Sequence, residues 1–140
     1  VEEGADEVDM VIHVPALKSG DYAHIFSEIR AVREATAKAA RPIVLKVILE
    51  CALLTDEEKM AGAILAKAAG ADFVKTSTGF GPGGATPEDV ALLRKTVGPT
   101  MGVKAAGGIR DYATAVRMVE AGATRIGASR SLEILAGAPD

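Results

Sequence analysis

Ala71-Asp72-Phe73-Val74-Lys75-Thr76-Ser77-Thr78-Gly79 starts as a short apolar strand and ends as a hydroxyl-rich turn, with a lysine at the junction. Gly70 precedes it and Gly81-Pro82-Gly83-Gly84 follows, so residues that break regular structure punctuate both ends. The pattern returns at a nearly constant interval: Ile43 to Leu49 carries Lys46, and Met101 to Ala106 carries Lys104. Val8 to Val14 and Thr124 to Ala128 complete the set of strand candidates, and a helical pattern follows each. Such alternation indicates parallel strands joined by right-handed crossovers, with helices covering the outer face.

The helical stretches carry their own boundary signals. Ile25, Ile29, Val32 and Ala35 form one apolar stripe. Thr55 with Glu58 has capping-box spacing, and Gly70 stands where the same helix would need a left-handed terminator. Thr86 ahead of Pro87 and Asp111 at the head of the next helix are N-cap candidates, and Gly122 closes the latter. Val1, Glu2, Glu3 and Gly4 read as the last turn and terminating glycine of a helix whose body would lie upstream.

The fold class expected is therefore α/β, of the (β/α)8 TIM-barrel type, with residues 1–140 forming a single incomplete barrel domain. About five β/α units are present, matching strands four to eight of a fold that closes with eight, and the N-terminal strands are expected to be absent. The rival is an open doubly wound sheet. That fold would carry a glycine-rich nucleotide loop after its first strand, and the stretch from Val11 to Gly20 has none.

Composition narrows the function. The net charge is −3 at pH 7, which offers no broad basic surface for nucleic acid or an anionic membrane. No apolar stretch reaches the length of a membrane span, and the expected setting is cytoplasmic. Cys51, the only cysteine, excludes an internal disulfide and reads as a small buried strand residue.

Lys46, Lys75 and Lys104 occupy strand patterns where apolar residues belong, and their equal spacing places them as neighbours in space. An ammonium moved from water into a covered sheet costs several kcal/mol unless it is paired or loses its proton. Snorkelling from a strand end accounts for one such lysine more readily than for three in register. The functional alternative is a lysine whose pKa is lowered by a neighbouring cation and partial desolvation, leaving an amine able to attack a carbonyl carbon. Lys75 and Lys104 lie near the C-terminal ends of their strands, where barrel active sites form, and Lys46 lies deeper. Asp9 interrupts the first strand. It can pair with Lys46, shuttle protons, or do both.

Gly107-Gly108-Ile109-Arg110 and Gly127-Ala128-Ser129-Arg130 follow the fourth and fifth strands. Glycine turns let backbone N–H groups approach phosphate oxygens, and a helix beginning near Ser129 would add its positive end; plain tight turns are the alternative. The loop Gly81-Pro82-Gly83-Gly84 reads as flexible first and as a substrate-shaping segment second. His13 ends a strand, with a structural or surface role favoured over contact with the site. No metal-ligand spacing occurs among histidines and carboxylates.

At these motifs the chain resembles deoxyribose-phosphate aldolases, the class I Schiff-base family. The resemblance rests on Gly4-Ala5-Asp6-Glu7-Val8-Asp9, Ala16-Leu17-Lys18-Ser19-Gly20, Lys46-Val47-Ile48-Leu49-Glu50, Phe73 to Phe80 and Gly102 to Arg110, which span essentially the whole chain. It implies that Lys75 forms the imine, that Lys104 perturbs it and assists proton transfer, and that Asp9 joins the proton relay. Lys46, Thr76 and Thr78 are supporting candidates, and Gly107, Gly108, Gly127 and Ser129 are the phosphate-side positions. It further implies no metal or organic cofactor, a small phosphorylated sugar as substrate, and reversible cleavage of 2-deoxy-D-ribose 5-phosphate to D-glyceraldehyde 3-phosphate and acetaldehyde. Arg130 and His13 depart from the family pattern. The competing readings are a non-catalytic barrel fragment that keeps the phosphate site, and another phosphate-binding barrel enzyme. Unpaired strand edges at Val8 and Thr124 make a homo-oligomer one expected outcome.

Overall fold

The computed structural model describes residues 4–139; the helix end expected at residues 1–3 lies outside them. Five parallel strands form one sheet: β1 (Glu7–Val11), β2 (Val44–Ile48), β3 (Phe73–Lys75), β4 (Gly102–Ala106) and β5 (Arg125–Gly127), each hydrogen-bonded to the next in chain order. A doubly wound sheet reverses its strand order at a switch point, whereas this order runs without reversal, as in a barrel. The sheet is also curled. Flat strands would set β1 and β5 about 19 Å apart, yet Arg125 Nη1 of β5 lies 2.5 Å from Glu7 Oε2 of β1.

The helices are α1 (Val14–Ser19), α2 (Tyr22–Thr36), α3 (Asp56–Ala68), α4 (Pro87–Val97), α5 (Tyr112–Glu120) and α6 (Ser131–Ala136), with one 3₁₀ turn at Cys51–Leu53. Both halves of the Thr55–Glu58 capping box are made, at 2.8 and 3.3 Å. Thr86 caps α4 and Asp111 caps α5 through the backbone N–H groups of Asp89 and Thr114. Gly70 and Gly122 have φ of 93° and 117°, the left-handed conformation that ends a helix cheaply only at glycine.

Three sequence expectations are corrected. The first strand stops at Val11, because Pro15 starts the short helix α1 and His13 caps it, Nδ1 accepting from the Ala16 N–H at 3.1 Å. The α2 stripe ends on buried Thr36 rather than exposed Ala35, since three turns from Ile25 reach position 36. The last helix begins at Ser131, with Arg130 at its N-cap.

Alternate strand residues face opposite sides of the sheet. Leu45, Val47, Val74, Val103 and Ala105 are fully buried in the core beneath the helices, together with Ile25, Ile29, Val90 and Leu93. Glu7, Asp9, Lys46, Phe73, Lys75, Gly102, Lys104 and Arg125 occupy the other, inner face by the same alternation. Apolar burial holds the sheet to its helices and leaves the inner face for charge.

Candidate active site

Strand register decides which charged side chains meet. Lys75 and Lys104 are direct partners in the β3–β4 ladder, and Asp9 and Lys46 in the β1–β2 ladder. Lys46 is opposite Phe73, whereas Lys75 is opposite Ile48. Equal spacing in sequence therefore brings two lysines level and leaves Lys46 one inner-face layer below, where it is 3% exposed. The cause is barrel stagger, which shifts register between strands without changing the residue count between them.

Asp9 joins the layers. Its Oδ1 accepts from Lys46 Nζ and its Oδ2 from Lys75 Nζ, both at 2.8 Å. Lys46 also meets Glu7 Oε2 at 2.7 Å, and Glu7 meets Arg125, so one ionic chain crosses the inner face. Hydrogen bonds from Arg125 and then Lys46 bring the Glu7 pKa to about 2. Burial raises the Asp9 pKa, but the hydrogen bonds from Lys46 and Lys75 outweigh it and hold the carboxyl below its usual value. The same balance runs the other way for Lys46: burial lowers its pKa, and Asp9 with Glu7 carry it above the ordinary lysine value.

Lys104 differs. Burial and then the adjacent Lys75 charge lower its pKa, and among the described residues no carboxylate bonds to it. Lys75, the expected nucleophile, is bonded to Asp9, and Lys104 is a group of lowered pKa beside it. A carboxylate and an amine of lowered pKa thus flank a third nitrogen, an arrangement with the chemistry to pass protons.

Lys75, Thr78, Lys104, Gly107, Gly108, Gly127 and Ser129 line a single cavity of about 440 Å³. Asp9 reaches it through Lys75. Thr76 is fully buried beneath it, its hydroxyl donating to the Ala106 carbonyl and accepting from the Ala106 N–H, both at 3.1 Å, which pins the β3 end to β4. Arg110 and Phe80 also line the cavity. Reading the residues alone gave Arg110 no role, although a cation two residues after the Gly107-Gly108 pair was the available signal. Glu7 and Arg125 were also missed, although Arg125 interrupts a strand pattern just as Asp9 does and Glu7 lies two residues before Asp9, on the same face.

Other features fall outside the site. His13 caps α1 and packs edge-on against His24 at 5.1 Å, while Arg130 bonds Glu133 at 3.1 Å on its own exposed helix. A cavity of about 460 Å³ between α5, β5 and α6 is lined mainly by apolar side chains, with no lysine, arginine or histidine to orient a polar substrate. Among the described residues no helix is long and apolar enough to cross a membrane.

Comparison with known proteins agrees along the whole chain. Residues 1–137 match the family model described as DeoC/LacD family aldolase. Deoxyribose-phosphate aldolase of Streptococcus pneumoniae serotype 19F (strain G54) is 61% identical over 98% of this chain and 60% of its own length. The Thermococcus kodakarensis protein of the same name is 58% identical over 100% of this chain and 62% of its own. The solved tetrameric deoxyribose phosphate aldolase from Aeropyrum pernix aligns with a TM-score of 0.86 at 38% identity, over 96% of this chain and 56% of that one. The chain thus spans about 60% of the length of the curated relatives it matches. Because the family match takes in all five strands that build the inner face and both glycine turns beyond it, the chain belongs to the DeoC/LacD family of aldolases.

Proposed function

We propose that this chain carries the Schiff-base site of a deoxyribose-phosphate aldolase, acting on 2-deoxy-D-ribose 5-phosphate with Lys75 as nucleophile. The observation that carries the reading is the placement of Lys75: it lines the cavity, its nitrogen contacts Asp9 at 2.8 Å, and Lys104 stands level with it on the next strand. The amine adds to the aldehyde carbon and the carbinolamine loses water to leave an iminium on Lys75. Removal of the C3 hydroxyl proton then breaks the C2–C3 bond, releasing glyceraldehyde 3-phosphate and leaving an enamine. Protonation of that enamine and hydrolysis free acetaldehyde and restore the amine.

Each step moves a proton, and Asp9 and Lys104 are the groups proposed to move them. Lys46 supports Asp9 from below, Thr76 fixes the strand end, and Thr78 shapes the wall. Gly107, Gly108, Gly127 and Ser129 receive the phosphate, with Arg110 adding a cation on the same side. The reaction as proposed uses no metal or organic cofactor. A homo-oligomer and a cytoplasmic setting belong to the same proposal; the tetrameric relative supports the first, to be read by sedimentation. The second is supported by Cys51, the one cysteine of the sequence, which is a buried free thiol and fits a reducing setting.

Borohydride added with 2-deoxyribose 5-phosphate is expected to leave a covalent adduct on the peptide containing Lys75. An adduct confined to any other lysine would overturn the assignment.

A further inference from the structure

Glu50 stands two residues beyond the end of β2 with φ 57° and ψ 63°, and it is the one non-glycine residue with positive φ among the described residues. A side chain held in this conformation is strained, and such outliers persist where surrounding contacts impose them. Those contacts are visible. The residue is 5% exposed, and its Oε2 accepts from the Thr78 hydroxyl at 2.5 Å and from the Thr78 N–H at 3.3 Å. The Thr78 oxygen in turn accepts from the Phe80 N–H at 3.1 Å.

The loop that follows is packed rather than loose. A Cβ on Gly81 would lie 2.7 Å from the Glu50 carboxyl carbon, and one on Gly83 would lie 2.8 Å from Ala52 Cβ. At the far end Ala85 N–H donates to the Gly107 carbonyl at 3.0 Å, and Gly84 abuts the same peptide closely enough to exclude any side chain. The segment expected to be flexible is therefore clamped at both ends. One end is held by Glu50, and the other rests on the Gly107-Gly108 turn proposed to take the phosphate.

We propose that Glu50 is a positioning residue: it holds the wall running from Thr78 to Gly84 in place and, through that wall, the Gly107-Gly108 turn. Glu50 itself does not line the cavity, so its action is indirect. The proposal rests on the aldolase reading for its kinetic readout, and on loop geometry alone for its second.

The test compares Glu50→Ala, Glu50→Gln, Thr78→Val and Thr78→Ser in the full-length protein. Glu50→Ala is expected to raise KM for 2-deoxyribose 5-phosphate by about tenfold, with kcat within about threefold of wild type, and Thr78→Val, which alters the cavity wall itself, to raise KM at least as far. Cleavage of unphosphorylated 2-deoxyribose by Glu50→Ala is expected to change little, because it makes no use of the phosphate side. Glu50→Gln and Thr78→Ser keep an acceptor and a hydroxyl at the same places, and recover most of the loss. Amide hydrogen exchange at Thr78 and Phe80 is expected to quicken by about tenfold or more in Glu50→Ala while the strands stay protected. Equal losses on both sugars, or unchanged exchange in the loop, would overturn the proposal. Borohydride labelling of the wild type reports separately on Lys75; if it fails, loop exchange still decides the fate of Glu50. Gly81→Ala, which pushes on the carboxylate from the opposite side, is expected to reproduce the KM effect if Glu50→Ala does not fold.

Discussion

The two faces of the sheet are made of alternate residues from the same strands, and they follow opposite rules. Beneath the helices, Leu45, Val47, Val74, Val103 and Ala105 are fully buried and apolar. On the inner face the corresponding places hold Glu7, Asp9, Lys46, Lys75, Lys104 and Arg125, tied into one ionic chain that leaves Lys104 outside it. The difference teaches where stability and chemistry are separated. The apolar face gains from every Å² it removes from water, whereas the charged face at best recovers its desolvation cost and is retained for what its groups can do.

The comparison is broken most sharply at Lys75. Lys75→Ala on the inner face is expected to lower kcat by on the order of 10⁴-fold or more, as for loss of a covalent nucleophile, with the melting temperature nearly unchanged. A steady-state retro-aldol assay beside thermal unfolding checks both halves. Residual activity within tenfold of wild type would reassign the nucleophile.

On the helix-covered face the effects exchange places. Val47→Ala removes two methyl groups from a fully buried site and is expected to cost about 2 kcal/mol in urea unfolding with kcat retained. Its neighbour Lys46→Met fills similar space without charge but takes the shared cation from Asp9 and Glu7; it is expected to lower kcat and to cost roughly 1–3 kcal/mol, softened by the contacts of Asp9 to Lys75 and Glu7 to Arg125. If Val47→Ala lowers kcat as far as Lys46→Met does, the division between the faces is wrong.

The division was largely readable in the residues. Charged residues inside apolar runs marked the inner face, and equal spacing put Lys75 beside Lys104 because both strands share the same phase of the repeat. The expected strands overran at Ile12 and Leu49, since these positions are buried although the chain has left its strand. Apolar character reports burial and not hydrogen bonding. Lys46 fell out of level because stagger is a property of several strands together. Glu50 gave no sign of its left-handed backbone or of its contacts, because these are made to Thr78 and Gly81, distant in sequence. Helix α1 was missed although Pro15 marks its first turn, because the capping role falls to a histidine, outside the residues that usually cap.

A milder effect sharpens the comparison within the inner face itself, because Lys46 and Lys104 are shifted in opposite directions. The Lys46 pKa is raised in the folded state, so the stability it contributes is fully present below the ordinary lysine value of 10.5 and is lost as pH rises through the folded value above it. The Lys104 pKa is lowered, so between its folded value and 10.5 the unfolded chain binds the extra proton and stability rises with pH across that window. Lys104→Met is therefore expected to stabilise the protein at neutral pH by a few tenths of a kcal/mol, its partial exposure limiting the gain, and to flatten the rise on the alkaline side. Lys46→Met is expected to leave that rise intact and remove the loss above it. Unfolding midpoints in urea from pH 7 to 11 measure both slopes, and a wild-type curve that falls steadily across the lower part of that range would show that Lys104 is not the weakly held proton beside Lys75.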